Sequence, residues 1–585
     1  MAPGYCLSAL RTFFIFSFTL LLASCGPEQR AEPDYDILIT GGMIYDGTGA
    51  DPIPGDVAIK GERIVYIGPD APGTAAETVD AKGKAVSPGF INTLSWGVDS
   101  LLIDGRGMSD LKQGVTLELF GEGWSMGPWN EEMKQRRLAR QGDLKYDINW
   151  TTLDEYLTYM TGRGVSPNVA SLIGAATVRI HELGEADVDP TPEQLENMKQ
   201  IVADAMEDGA MGVGSSLIYA PGNYASTDEL VALVGEAGRC GGIYTTHMRN
   251  EGDRIFDALE ETFDIAIKTG TPTEIYHLKL SGQQNWHKVD ELIKRIEDAR
   301  AGGLRISADM YTYPASSTGL DAYMPLWVQE GGIEKWVARM KDPEVRKKLL
   351  KDMKAEGGEG ENLGRRTPAD KILLVGFKND EMKQYTGKTL AEVANMWNLS
   401  PEEAAINLVI RDGSRVQVIY FIMSEDNVKK QLARPWVSLG SDGDAAPAEG
   451  IFLKSMTHPR SYGNFARLFA KYVRQDGIMT VQEAVRRVTG QPAALLQLRD
   501  RGLLLEGYHA DVVIFDPATI RDNATFDRPH QYASGVSDVF VNGVHTIGNG
   551  RHTGALAGQV VRGRGWTGWP DGGCRKSSSD WQDLP

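Results

Sequence analysis

Four side chains in this sequence could combine into a metal-dependent hydrolytic site: Glu122 in LELFGEG, His247 in IYTTHMR, His277 in IYHLK and Asp442 in LGSDG. A carboxylate and two imidazoles are zinc donors that leave a fourth position open, and a further carboxylate beside them can serve as a base. Each has a plainer reading when taken alone, since a strand-end His is more often a hydrogen-bonded structural residue and Ser-Asp-Gly is a common turn. The conjunction carries weight because the 585 residues include only nine His, and two of them end successive expected strands.

Barrels of alternating strands and helices keep their reactive groups at the C-terminal ends of the strands, so the neighbouring elements decide whether these residues can meet. Thr191-Pro192-Glu193-Gln194 offers a capping box with Pro at the first helical position, opening a helix up to Met206. The strand AMGVGSSL follows, and Ser226-Thr227-Asp228-Glu229 caps another helix before the strand GIYTTH. The helix EGDRIFDALEETFDIAIKTG leads to TEIYHLKL, and VDELIKRIEDARAGG leads to RISADMYTY. Strand ends thus recur near His247, His277 and Asp309, 30 and 32 residues apart, the length of one βα unit. This rhythm predicts an α/β chain with a (β/α)8 TIM-like barrel over residues 89–492, its last strand being WVSLGSD. Leu320 to Asn427 breaks the rhythm with charged helices and the run AEGGEGENLG, and reads as an insertion near 320–427, a subdomain or lid plus one βα element.

Short alternating strands with Gly turns (DILITGG, DVAIKGERIVYIG) fill the stretch before Val86, and matching segments (GYHADVVIFDPATI, SDVFVNGVHTIGNG) return near the other end. Residues 26–88 and 493–565 are therefore expected to build one small β-sandwich from both chain ends, followed by a flexible tail at 566–585. Residues 1–25 read as an address: one cation, Arg11, then an apolar run from Phe13 to Ala23 too short to span a bilayer. Leu22-Ala23-Ser24-Cys25 resembles a bacterial lipobox, with Cys25 as the lipidated first residue of the mature protein; a plain secretory signal with a chance Cys is the alternative. Gly26 in place of Asp favours the outer membrane, so the expectation is a cell-envelope lipoprotein facing the periplasm and touching the membrane through its lipid anchor only.

Hydrophobic residues at 42% and charged residues at 24% suit a globular chain, and 66 glycines without a period exclude a collagen-like repeat. The net charge of −18, from 61 Lys and Arg against 79 Asp and Glu, excludes a general nucleic-acid binder, because phosphate contacts need clustered cations. Four Cys are too few for a disulfide scaffold. Cys240, in GRCGGIY where a helix end meets a strand, reads as an inert core thiol, and the pairing of Cys574 is left open.

The chain carries ITGGMIYDGTG, SPGFIN, GVTLELFGEG, YAPGNYASTDEL, GGIYTTHMRNEGD, IYHLKLSG, DMYTYPASST, LGSDG, THPRSYGNFAR and GYHADVVIFD. In these motifs it resembles the amidohydrolase superfamily and, within it, the N-acyl-D-amino-acid deacylases, from Asp34 to Arg564. The resemblance implies that His247 and His277 bind a tightly held metal, that Asp442 is the general base, and that Tyr219, Ser317 and Arg460 hold the substrate carboxylate. Lys279, two residues after His277, matches a family Lys implied to support the ligands from behind; a solvated Lys is the alternative. The implied reaction is hydrolysis of the amide bond of an N-acyl-D-amino acid, or of a D-residue-containing dipeptide, with that small molecule as the partner.

The departures matter as much as the matches. Where the family shows PGFID followed by HxH, this chain continues Asn92-Thr93-Leu94-Ser95-Trp96, so Leu94 and Trp96 take the His positions. Neither binds zinc, and both are expected to fill that corner with apolar bulk. Glu122 stands where the family has a metal-binding Cys, and Gly174-Ala175 replaces a Gly-His. One reading is an inactive relative. The other is a remodelled site with one divalent ion, zinc, held by Glu122, His247 and His277, similar to the N-acetylglucosamine-6-phosphate deacetylases of the superfamily. Decay would strike ligands without replacing them chemically, whereas here a thiolate is exchanged for a carboxylate that zinc accepts, so the single-metal enzyme is expected. A metal-free periplasmic binding lipoprotein and a cyclic-amide hydrolase are the competing functions, and a carboxylate-binding Arg460 speaks against the latter.

Overall fold

The computed structural model describes Met1, residues 32–356 and residues 360–574. Residues 2–31, which include Cys25 and nearly all of the expected signal, residues 357–359 of the Gly/Glu run, and residues 575–585 lie outside the described residues. Among the described residues no helix is long and apolar enough to cross a membrane.

The chain opens with β1 (Tyr35–Ile44), β2 (Ile53–Lys60), β3 (Arg63–Gly68), β4 (Ala75–Asp80) and β5 (Ala85–Pro88). The barrel strands begin with β6 (Phe90–Asn92), β7 (Val115–Phe120), β8 (Asn168–Ser171), β9 (Ile173–Gly174), β10 (Gly212–Ser216), β11 (Ile243–His247), β12 (Thr273–Ile275) and β13 (Ile306–Met310). After them come β14 (Ser316–Gly319), β15 (Ile372–Gly376), β16 (Gln417–Tyr420) and β17 (Val437–Leu439). The chain ends with β18 (Val512–Phe515), β19 (Val536–Val541), β20 (Val544–Gly548) and β21 (Arg551–His552).

β6, β7, β8 with its continuation β9, β10, β11, β12, β13 and β17 pair in parallel as the barrel wall. Leu172 N donates to Phe120 O at 2.8 Å where β8 passes into β9. The ring closes between β17 and β6, where Asp442 N donates to Leu94 O at 2.8 Å and a parallel bridge joins Ser95 to Gly443. Parallel strands covered by helices are apolar on both faces, and VTLELF on β7 is buried throughout. Ile91, Leu117, Leu119, Ala170, Leu172, Met211, Ile243 and Tyr276, taken from successive strands, form the buried plug of the barrel.

The helices obey the sequence signals. Thr191 caps Pro192–Glu207 in a reciprocal capping box with Gln194, and Ser226 caps Thr227–Arg239 by accepting from Glu229 N at 3.1 Å. The insertion forms a three-stranded antiparallel sheet, β14-β16-β15, with helices around it. It leans on the segment after β7 through Arg140–Glu334 at 2.7 Å, Lys383–Asp143 at 2.7 Å and Lys378 Nζ to Ala139 O at 3.0 Å. That contact makes the insertion one wall of the cavity above the barrel.

The two chain ends meet in one nine-stranded sheet ordered β21-β20-β19-β18-β5-β1-β2-β3, with β4 also on β1. The seam is β18 against β5, antiparallel with Ile514 opposite Val86. Ile37, Ile39, Val57, Ile64, Val512, Ile514 and Phe540 share one core, so neither end forms this layer alone.

Two expectations fail at the C-terminal end. Cys240 is not a free core thiol but is disulfide-bonded to Cys574, 334 residues away. Of the tail expected at 566–585, the described part, 566–574, is tied down: Thr567 N donates to Glu207 O (3.1 Å), Gly573 N to Gly565 O (3.0 Å), and Trp566 packs on Trp569. Backbone bonding to the lower barrel loops brings Cys574 to the buried end of Thr227–Arg239, where the bond closes. Such a cross-link typically contributes about 2–4 kcal/mol by restricting the unfolded chain.

Candidate active site

Glu122 follows β7 between two glycines whose geometry aims it inward. Gly121 (φ 108°) and Gly123 (φ 68°) are left-handed, and a Cβ at either would meet Leu172 O or Ser216 Cβ at 2.5 Å. His247 is the last residue of β11, and His277 lies two residues beyond β12. His277 (φ 36°) and Asp442 (φ 49°) are both left-handed without being glycine, a strained backbone of the kind that clusters at working sites. His277 is held there by its own N–H, which donates to Asp309 Oδ1 at 2.5 Å, while Thr93 Oγ1 donates to Asp309 Oδ2 at 2.8 Å.

Glu122, His247 and His277 come together as a buried donor group whose ligand atoms lie within 4.8 Å of one another. Glu122 Oε1 is 3.0 Å from His247 Nδ1 and 3.2 Å from His277 Nε2. Behind the imidazoles, Glu251 Oε1 is 3.1 Å from His277 Nδ1 and Glu251 Oε2 is 3.6 Å from His247 Nε2. Lys279 Nζ is buried there as well, 2.6 Å from Glu251 Oε1 and 2.7 Å from His277 Nδ1, so it is no solvated Lys.

Charge and burial compete in this knot. Burial opposes the charge on Glu122, but hydrogen bonds from both imidazoles hold its carboxyl well below the usual range. Burial pushes the His247 imidazole toward its neutral form, the form that ligates metals. For His277, burial and the Lys279 ammonium favour the neutral ring, yet Glu251 and Glu122 outweigh them and push it up to about 10. The knot is therefore a set of mutually compensating acids and bases.

Asp442 faces this group from the β17 side. Its Oδ2 pairs with Arg460 Nη2 at 2.8 Å, and its Oδ1 accepts from Trp96 Nε1 at 3.1 Å. Burial raises the Asp442 carboxyl above its ordinary range, with Arg460 opposing. The Arg460 side chain is 4% exposed and stacks over the Tyr311 ring at 4.6 Å. Its Nη2 also reaches Ser317 O at 3.4 Å, but its Nε and Nη1 are buried without a hydrogen-bond partner. His458 positions the residue, accepting from Arg460 N on Nδ1 at 3.0 Å while its Nε2 reaches Ala315 O at 3.0 Å.

Tyr219 donates to Thr318 Oγ1 at 2.8 Å and sets its ring edge-on to His247. Ser317 turns its hydroxyl to Val418 O at 3.0 Å, inside the insertion sheet, so it is the Ser317 backbone that meets Arg460. Glu122, His247, His277, Asp442, Arg460 and Tyr219 all line one cavity of about 780 Å³. Three contributors were not singled out from the sequence. Glu251 stands four residues after His247 in the quoted segment GGIYTTHMRNEGD, Asp309 marks a strand end, and His458 precedes Pro459-Arg460. Trp96 departs from its expectation as apolar bulk, since its N–H engages two carboxylates. Leu94 keeps to it, packed in the barrel plug.

Residues 119–547 match the model of the amidohydrolase family. The D-aminoacylase of Alcaligenes xylosoxydans xylosoxydans is 31% identical over 545 residues, spanning 91% of this chain and 99% of that protein. The structure superposes on N-acyl-D-glutamate deacylase from Bordetella bronchiseptica, complexed with zinc and a phosphonate mimic of the tetrahedral intermediate. The TM-score there is 0.73 at 30% identity, covering 90% of this chain and 99% of that one. A D-aminoacylase with a binuclear metal centre, described by one-metal activation and second-metal attenuation, superposes with a TM-score of 0.75 at 29% identity, covering 90% and 100%. With its barrel, its two-ended β layer and its strand-end donors, the chain belongs to the amidohydrolase family, alongside the N-acyl-D-amino-acid deacylases.

Proposed function

We propose that this protein hydrolyses the amide bond of N-acyl-D-amino acids, releasing a carboxylate and a free amino acid, with one divalent ion held by Glu122, His247 and His277. The observation that carries this reading is a donor triad and an under-used guanidinium facing each other across one cavity, with Asp442 between them. The donors suit zinc: tetrahedral ligands at about 2.0–2.1 Å lie about 3.3–3.4 Å apart. Glu122 Oε1 already sits 3.0 and 3.2 Å from two ring nitrogens.

A bound zinc ion supplies Lewis acidity, polarising a carbonyl and lowering the pKa of water to about 7. The chain's own groups do the rest. Arg460, whose Nη2 is paired with Asp442, has N–H donors left on Nε and Nη1 for the substrate carboxylate, a charged contact that fixes the amino-acid end. Asp442 takes the proton of the attacking water and returns it to the departing amine nitrogen, a role worth about 10²–10⁴ in rate. Its raised pKa suits a group that must both accept and give back a proton. Glu251 and Lys279 hold the two imidazoles from behind, as the outer partners of metal-binding His residues do.

The cell-envelope reading draws on Leu22-Ala23-Ser24-Cys25 and on the Cys240–Cys574 disulfide, because disulfides persist in oxidising compartments. A Cys25→Ser protein should move from the membrane to the soluble fraction, and unchanged fractionation would rule out the lipid anchor.

Two further outcomes test the chemistry. Against a panel of N-acyl-D- and N-acyl-L-amino acids, the protein should hydrolyse the D series. Glu122→Ala and His247→Ala should each lose at least about 10³-fold in rate, the equivalent of several kcal/mol of transition-state stabilisation; a panel that gives no hydrolysis refutes the assignment. Arg460→Ala should lower kcat/KM for free acids by about 10–100-fold more than for the corresponding methyl esters, the worth of a charged hydrogen bond; the loss common to both reports the broken pairing with Asp442. Equal losses on acids and esters would take Arg460 out of substrate binding.

A further inference from the structure

We propose that Trp96 is a positioning residue whose indole N–H does the work of a second cation, clasping Glu122 and Asp442 so that the site operates with a single ion. The proposal rests on the metal-site reading above. Trp96 follows β6, and its Nε1 lies 3.1 Å from Glu122 Oε2 and 3.1 Å from Asp442 Oδ1. An indole nitrogen donates and cannot accept, so one N–H is shared by two carboxylates. Two carboxylates brought together away from water repel unless something positive lies between them. Here that something is the positive end of an N–H dipole, fixed to the barrel wall and unable to exchange.

The clasp divides the oxygens of each acid. Glu122 gives Oε2 to Trp96, which leaves Oε1 alone toward His247 and His277. Asp442 gives Oδ1 to Trp96 and Oδ2 to Arg460. Neither carboxylate can swing without breaking a charge-assisted bond, so the acid that ligates and the acid that moves protons stay in fixed register. The corner around Trp96 also lacks the paired imidazoles of a second site, since Leu94 and Trp96 take their positions. Leu94 packs in the barrel plug, and its carbonyl already accepts from Asp442 N. Among the described residues, Glu122, His247 and His277 are the one group of three or more metal-type donors that converge.

Zinc content and zinc affinity, the latter by chelator competition on the full-length protein, decide the matter for wild type, Trp96→Phe and a Leu94→His/Trp96→His double variant. The wild type should retain one ion per chain after dialysis. Trp96→Phe should also retain one, but with zinc affinity weakened by about 10–100-fold, the usual effect of losing an outer partner of a ligand. The sulfur isostere of Trp at position 96, which keeps the bulk and lacks the N–H, should reproduce the loss and serves if Trp96→Phe fails to fold. The folded double variant should hold two ions. Wild-type affinity in Trp96→Phe or in the isostere overturns the proposal, as do two ions in the wild type or one in the folded double variant. These readouts need no turnover. A wild type inactive on every N-acyl-D-amino acid therefore sinks the deacylase reading while the zinc measurements still judge Trp96.

Discussion

Two carboxylates, the buried Glu122 and the partly buried Asp442, converge on one indole N–H, and most of the site is arranged to make that tolerable. Like charges in a poorly solvated cavity are costly, so each acid needs compensation on its free side. Glu122 finds it in two imidazoles and Asp442 in Arg460. The imidazoles in turn are backed by Glu251, and Glu251 by Lys279. The charges alternate in sign along this chain of contacts, and a divalent ion at the Glu122–His247–His277 group would complete it. Burying this many charged groups together is costly unless they serve a purpose, which is the physical reason to read the group as a working centre and not as the remains of one.

The scaffold serves that arrangement. Barrel closure at β17 and β6 joins Leu94 to Asp442 by a backbone bond, so the clasping Trp96 and the acid it clasps hang from the same seam. Left-handed backbone at His277 and Asp442 turns both side chains over the barrel mouth, with Asp309 holding the first through its N–H. The insertion presents Ser317 and Thr318 from β14 toward Arg460 and Tyr219, converting an open barrel end into a walled cavity. The nine-stranded layer lies outside this network and closes the chain on itself through β5 and β18.

Much of this was legible in the sequence, for identifiable reasons. Strand ends at 30- and 32-residue spacing reveal a βα repeat, and Glu122, His247, His277 and Asp442 stand out because they end or follow strands of that repeat. Helix caps such as Thr191 and Ser226 are local signals and need no tertiary information. What stayed hidden depends on contacts between distant residues. The Cys240–Cys574 bond spans 334 residues, and only the path of residues 563–574 along the lower barrel brings the two sulfurs together. Trp96 reads as bulk because an indole is mostly apolar, and its single N–H gains meaning only once two acids are known to face it. Glu251 resembles any surface carboxylate until Lys279 and both imidazoles are seen around it.

The central claim is that one ion, bound through Glu122, His247 and His277, is sufficient for hydrolysis. Zinc titration of the metal-stripped protein, with release of the free amino acid from an N-acyl-D-amino acid as readout, tests it most directly. The rate should rise in proportion to added zinc and level off at one equivalent per chain. Full activity before any zinc is added, or a rate that keeps climbing to two equivalents, would contradict the account.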